Sequence, residues 1–481
     1  MQSASHFRGP APWGRGTTGA RPYVTYRLLV VWVWVLLAVG LVGCQPQGRD
    51  LPTVEPSKTP RPTFTPPATT SEPTLAPTIT PKPQAAASAT APQPTAMVTA
   101  AGATPLSQVT ATVQPSRTPV PPTPTQRPPT ATPAPAAKPL RMKSPEYGMQ
   151  VFPWWRPEVA SRDFQLVRQA GFTWAKVGFG WRDIEVKKGV FDWSRTDLIV
   201  QMAGEQGLDL VVRVDHQPAW AGGGFPLNGP PDNLQDLADF LTALVSRYKG
   251  RIRAYEVWNE PNLAREWGGQ VPDPGNYAKL LRVAYRAIKQ ADPNAMVISA
   301  GLSPTGTWNE EARPDDWYLE SLYIAMGKKS DGYFDVLGVH GAGFKSPPER
   351  DPAEVAANKD LGGQRAFCFR HVEDLRAIMV KYGDGNKQIA LLEFGWTSDP
   401  RPDSPYHWFA VSEEVKADYL VRAYQYAKTH WSPWIGLMSL IYICDPDWTE
   451  SHEQYWWAIT YPSWPEFKPR PAYLALQAMP K

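Results

Sequence analysis

Ile252-Arg253-Ala254-Tyr255-Glu256-Val257-Trp258-Asn259-Glu260-Pro261-Asn262 is the stretch on which the reading of this chain turns. Its first seven residues are rich in β-branched and aromatic side chains and read as a strand. Pro261 lacks a backbone donor and stops the ladder, so Asn259 and Glu260 fall just past the strand's carboxyl end. A second strand-like run, Gln388–Leu392, closes on another carboxylate, Glu393, 133 residues later. Two acids at the ends of two strands can divide a proton transfer and a nucleophilic step between them.

On either side of these runs, strand-like and helical stretches alternate from about Pro145 onward. Strands are expected at Gly148–Pro153, Thr173–Phe179, Leu208–Asp215, Ile252–Trp258, Ala295–Gly301, Phe334–His340, Gln388–Glu393 and Ile435–Ile443. Amphipathic stretches lie between them, from Pro157–Gln169 through Gln364–Tyr382 to Pro471–Met479. In Asn233–Tyr248, Leu234, Leu237, Phe240, Leu241 and Leu244 share one helical face. Eightfold alternation predicts an α/β fold, a parallel sheet closed into a (β/α)8 TIM barrel over residues 145–481. Units of about 42 residues would separate the fourth and seventh strand ends by about 126, close to the spacing of the two glutamates. Both acids then lie on the carboxyl face, where such barrels build their active sites.

The remainder of the chain reads differently. Residues 1–27 carry Arg8, Arg15, Arg21 and Arg27 and no acidic side chain, and Leu28–Val42 is continuously apolar. That pattern describes a secretory signal peptide over residues 1–43. An uncleaved membrane anchor is the alternative, the apolar run being slightly short of a span. Leu41-Val42-Gly43-Cys44 resembles the bacterial lipobox, which implies that Cys44 becomes the lipidated first residue of a lipoprotein. Between residues 45 and 140 lie 24 of the 53 prolines and only ten charged side chains. Residues 44–144 are therefore expected to form a disordered Pro/Thr-rich tether, since prolines deny both helix and ladder and little apolar surface remains to bury. Either reading of the N-terminus puts the barrel outside the cytoplasm, membrane-anchored at the cell surface.

The net charge of +3 and the lack of a basic run with interleaved aromatics give no reason to expect a nucleic-acid partner. Three cysteines cannot build a disulfide framework. Cys368, expected in the sixth helix, and Cys444, expected at the end of the eighth strand, read as buried free thiols. No zinc spacing, phosphate-cradling glycine loop or Ca²⁺ loop occurs, so neither metal nor cofactor is expected.

Asn259-Glu260-Pro261 after the fourth strand and Glu393 after the seventh resemble the clan A glycoside hydrolases, with families 5, 39 and 10 the nearest-looking. Trp181-Arg182-Asp183-Ile184-Glu185 with Gly189-Val190-Phe191-Asp192-Trp193 is similar to the W-x-x-I-E…G-x-Y/F-D-W stretch of several such families. The resemblance implies a retaining enzyme acting on an oligo- or polysaccharide. Glu260 would be acid/base, Glu393 nucleophile and Asn259 a partner of the sugar 2-hydroxyl. To protonate a leaving group Glu260 must hold a proton near neutrality, which Trp258 and an ionised Glu393 would favour.

His340 ends the sixth strand, and the resemblance implies that it binds sugar or orients the nucleophile. Ala342 stands where relatives carry a tyrosine, a role that Tyr442 on the eighth strand could take. Lys176 stands where relatives often carry an arginine. His216 suits a contact with a neighbouring sugar, and among the loop aromatics Trp448 is the best placed to stack on one. Arg213 and Glu256, in mid-strand, are expected to pair with each other inside the barrel. The structural alternatives are ion-pair members at the glutamates and bonded loop residues at the histidines. A barrel that binds sugar without turnover, or one that transfers the sugar to another sugar, would carry the same residues. The chain is expected to act as a monomer.

Overall fold

Strands of four to eight residues, nearly all buried, pair in parallel in chain order and close on themselves. They are β1 (Glu146–Gln150), β2 (Trp174–Gly180), β3 (Asp209–Asp215), β4 (Ala254–Val257), β5 (Met296–Ser299), β6 (Val336–Ala342), β7 (Gln388–Gly395) and β8 (Ile435–Leu440). The computed structural model describes residues 140–154, 156–222 and 228–481. The expected signal peptide, Cys44 and the tether before Leu140 lie outside the described residues.

One helix follows each strand around the outside: α1 (Pro157–Gln169), α2 (Ser194–Glu205), α3 (Leu234–Arg247), α4 (Pro274–Ala291), α5 (Asp315–Ala325), α6 (Val372–Lys381), α7 (Glu413–Tyr426) and α8 (Pro471–Ala478). Their starts follow local chemistry. Asp273 accepts from the Gly275 and Asn276 N–H groups while Pro274 occupies the first turn of α4, where its missing donor costs nothing. The sixth helix is shorter than expected. Cys368 has extended backbone, so only a single turn at Phe369–His371 precedes α6, and the thiol lies outside the helix. Cys444 likewise lies beyond β8, which ends at Leu440, and its N–H donates to Thr460 Oγ1 at 2.9 Å. Both thiols are free and buried, and burial pushes each up to about 12.

Side chains alternate between the barrel interior and the helix-facing side. The lower interior is apolar, with Trp174, Val211, Ala254, Met296, Val336, Ala390 and Leu437 packed on Met142. Two residues further along β2, β3 and β4 the same alternation delivers Lys176, Arg213 and Glu256, a charged layer directly above the apolar one. Strand β7 breaks the pattern. Val339 of β6 pairs with Leu391 but the next residue, His340, pairs with Glu393, so Leu392 is unopposed. Ala390 and Leu392 both belong to the interior cluster, and strict alternation would send Glu393 outward. The extra residue turns it back inward, opposite His340.

The carboxyl ends of β4 and β5 are fastened from behind. The Tyr277 phenol of α4 donates to the Val257 carbonyl at 2.9 Å and accepts from the Ala300 N–H at 2.6 Å. Gly301, just beyond, must be glycine for want of space: a Cβ there would lie 2.1 Å from His340 Cδ2. Gly301→Ala should destabilise the fold by about 1–3 kcal/mol, as other overpacked cores do. Denaturant unfolding checks this, and unchanged stability would mean that the His340 ring is free to move.

Candidate active site

The Asn-Glu-Pro turn is built on unusual backbone. Trp258 has φ 76° and Glu260 φ 38°, left-handed conformations that cost of order 1–3 kcal/mol each in non-glycine residues. The surroundings over-determine them. The Trp258 N–H donates to the Val214 carbonyl at 3.0 Å, its indole N–H to the Glu266 carbonyl at 2.8 Å, and the Glu260 N–H to the Gly301 carbonyl at 3.1 Å. The turn thereby presents Asn259 and Glu260 to the barrel mouth.

Four of the expected residues meet there. His340 Nδ1 lies 3.0 Å from Glu260 Oε1 and 3.9 Å from Glu393 Oε2. One ring atom close to both confines these two carboxylate oxygens to within about 7 Å of each other, a range that includes the 5–5.5 Å of retaining glycosidases. Lys176 Nζ donates to Glu393 Oε1 at 2.9 Å. The side chains of Glu260 and Glu393 remain 12% and 19% exposed, open to a ligand from above.

Arg213 does not pair with Glu256 as expected. Although the two are opposite one another in register, Lys176 takes Glu256 at 3.2 Å. Arg213 turns upward to Asp215 at 2.9 Å, Asn259 Oδ1 at 3.1 Å and Glu393 Oε1 at 3.4 Å. It belongs to the site, which the sequence reading missed; a mid-strand arginine on the strand before the one that carries Glu260 is the signal that could have found it.

The two carboxylates are both held charged. Burial works against the charge on Glu393, but Lys176, His340 and Arg213 outweigh it and bring its pKa down to about 2. Burial likewise opposes the charge on Glu260, but the His340 bond and the Arg265 guanidinium, 2.6 Å from Oε2, hold the carboxyl below its usual range. This corrects the expectation of a Glu260 protonated by Trp258 and Glu393. The Trp258 indole bonds away from Glu260, and Arg265, from the loop after β4, supplies a positive charge that no motif announced.

The other candidates come from the chain following β3 and β8. His216 (φ 61°) follows β3, its Nδ1 2.5 Å from Asp215 Oδ1. Tyr442 stands near both glutamates, and burial together with the charges of Glu393, Glu453 and Glu260 keeps its phenol well above its usual pKa. Trp448 is 6% exposed, packed on Phe152 and on Tyr442 with ring centroids 5.0 and 5.4 Å away. In this arrangement it supports Tyr442 and offers little face of its own. A recess of about 1120 Å³ lies among the loops after β6, β7 and β8, lined by Trp408, Trp456 and Tyr461 among others and by neither catalytic candidate.

Residues 137–323 match the family model Cellulase (glycosyl hydrolase family 5). The matched stretch is an enzyme domain of glycoside hydrolase type; it runs through β1–β5 into α5 and holds Glu260 but not Glu393. Endo-1,4-beta-xylanase 3 of Hypocrea jecorina is 28% identical over 124 residues, 24% of this chain and 34% of that protein. Beta-xylosidase of Geobacillus stearothermophilus is 26% identical over 128 residues, 25% of this chain and 23% of that one. The chain thus spans about a third or a quarter of the length of these curated relatives. A solved family 39 glycoside hydrolase from the gut symbiont Bacteroides cellulosilyticus WH2 shares the fold. It has TM-score 0.50 and 20% identity, over 71% of this chain and 64% of that one.

The charge on Glu393 can be tested directly. Lys176→Met combined with Glu256→Gln removes its main cation without orphaning a buried carboxylate. The Glu393 pKa should rise by about 1–3 units, read by carbon-13 titration of labelled glutamate. A depressed carboxyl stabilises the fold above the usual carboxylate pKa, and that contribution is lost as pH falls toward about 2. The double variant should show a smaller acid loss; an unmoved titration would mean that Lys176 does not hold the charge.

Proposed function

We propose that this protein is a retaining glycoside hydrolase that cleaves β-linked oligo- or polysaccharides by double displacement. The observation that carries this reading is the single His340 imidazole spanning Glu260 and Glu393. In the first step a Glu393 oxygen attacks the anomeric carbon while Glu260 gives its proton to the departing glycosidic oxygen. The bond to the leaving group breaks and a glycosyl ester forms. In the second step Glu260, now a carboxylate, takes a proton from water. That water attacks the same carbon and frees Glu393.

Lys176 and Arg213 keep the nucleophile ionised, and Arg213 also fixes the amide of Asn259, with Oδ1 as acceptor and its NH₂ left to a sugar hydroxyl. Substrate entry excludes water around Glu260 and favours its protonated form. Loss of the Glu393 charge in the ester then favours the base. Outside the barrel, the reading is a monomeric lipoprotein held at the outer cell surface through Cys44. Its support is the charge, apolar run and lipobox-like ending of residues 1–44.

Release of aryl alcohol from aryl β-glycosides tests the chemistry. Glu393→Gln should abolish release. Glu260→Ala should keep activity only on activated substrates, and added azide should restore it, because azide attacks the ester without needing a base. Wild-type turnover unaffected by Glu393→Gln would sink the mechanism, and binding without any release would favour a lectin-like barrel. For the anchor, Cys44→Ala should move the protein out of the detergent phase; partition unchanged from wild type would remove Cys44 from the account.

A further inference from the structure

The recess among the loops after β6, β7 and β8 has no part in a two-carboxylate mechanism, yet it has the make-up of a binding site. Its volume of about 1120 Å³ exceeds the roughly 300–1,000 Å³ of small-ligand pockets, which suits an extended ligand. Trp408 and Tyr461 are 40% and 39% exposed along it, and Trp456 is partly exposed. Each ring is held from behind. Phe409 and Phe367 lie 4.9 and 5.5 Å from Trp408, centroid to centroid, and a Cβ on Gly362 would meet the tip of its ring at 2.7 Å. Trp456 donates its indole N–H to the Glu450 carbonyl at 2.9 Å, and its own carbonyl accepts from Lys416 Nζ at 3.0 Å. The Arg470 guanidinium lies 4.4 Å from the Tyr461 centroid and is fixed in turn by Glu413 Oε1 at 2.6 Å and the Tyr455 carbonyl at 3.0 Å. Aromatic faces held in this way have little entropy left to lose on binding. The charges in the floor are paired within the protein: Asp399 with Arg401 at 2.8 and 2.6 Å, and Glu413 with Lys416 at 2.9 Å as well as with Arg470. Lys345, Lys359, Asp360 and Glu450, all exposed, complete the lining. Two cations and two anions give no preference for a charged ligand, whereas hydroxyl groups can bond to either kind.

We propose that this recess is a second carbohydrate-binding site, which holds a neutral, equatorially β-linked pyranose chain against Trp408, Trp456 and Tyr461 without cleaving it. This rests on the hydrolase reading above, the bound chain being a further stretch of the polymer that enters the mouth. Equatorial linkages make a flat ribbon whose C–H faces match aromatic rings. Phe409 and Trp457, the chain neighbours of Trp408 and Trp456, turn instead into a buried cluster with Phe344 and Ile441, on which Tyr442 packs. The same cluster thereby joins the recess to the residue beside the two glutamates. A polymer engaged at both places is retained by linked contacts, without any new contact at the mouth. The chain's own proline-rich segment is less suited to the recess. Arg141 bonds the carbonyls of Asn386 and Pro433 at the amino ends of β7 and β8, the opposite end of the barrel.

Affinity electrophoresis of the full-length Glu393→Gln protein through soluble arabinoxylan, hydroxyethyl cellulose or galactomannan reads binding without turnover. At least one of the three should retard it. Adding Trp408→Leu should weaken that binding about tenfold, and Trp408→Tyr, which keeps a flat face, should restore most of it. With Glu393 intact, Trp408→Leu should raise KM for the retarding polysaccharide about tenfold. Its kcat/KM for an aryl β-glycoside, which reaches only the mouth, should stay within about twofold, and that constancy also certifies folding. No retardation by any of the three, or equal retardation with and without Trp408→Leu, overturns the proposal. An equal loss on polymer and aryl glycoside would make Trp408 a support of the mouth and overturn it as well. Trp408-dependent binding of a peptide of residues 115–129 in place of the polysaccharides would give the recess to the chain's own segment, with the same consequence. Trp408-dependent retardation in a protein that cleaves no glycoside would uphold the site and sink the hydrolase reading instead.

Discussion

Everything at the mouth of this barrel depends on keeping a carboxylate charged where water is scarce. Glu393 Oε1 takes Lys176 at 2.9 Å and Arg213 at 3.4 Å. A buried ion of this kind is tolerated only when its desolvation is offset by partners with good geometry. Two cations so close would repel one another without further anions, and Glu256 and Asp215 provide them at 3.2 and 2.9 Å. Removing any one member leaves an uncompensated charge, so the layer is held as a set. The apolar layer beneath it, from Met142 to Leu437, keeps water from entering below.

Much of the barrel was legible because its strands obey a short period. Val211, Arg213 and Asp215 alternate with outward neighbours, as do Ala254 and Glu256, and a run of eight such segments has few other ways to bury both faces. The glutamates were legible for a different reason: Pro261 ends one ladder visibly, and Glu393 follows an unbroken apolar run. The sixth helix was misjudged at its start because Ala366 and Phe367 suit a helix in composition. Cys368 is nonetheless extended, and the adjacent Phe367 packs on Phe344 and Trp408 from the loops after β6 and β7, contacts that local pattern does not record.

The electrostatics were far less legible. Arg213 and Glu256 do face each other across β3 and β4, but the third dimension brings Lys176 from β2 to Glu256 and frees Arg213 for Glu393. Arg265 and His340 reach Glu260 from the loop after β4 and the end of β6, 75 positions apart. Their influence on Glu260 exists only once the barrel has closed. The pKa of an acid is a property of its surroundings, and surroundings assembled from distant loops leave no local trace.

The unopposed Leu392 has a consequence for how such barrels recombine. Half-barrels are natural units of exchange, because each βα repeat presents the same edges to its neighbours. A chimaera whose flanking strands held the seventh in unbroken register, with Leu392 opposed like its neighbours, would retain both glutamates. It would nonetheless aim its nucleophile into the helical shell, an inert protein that keeps both of its acids.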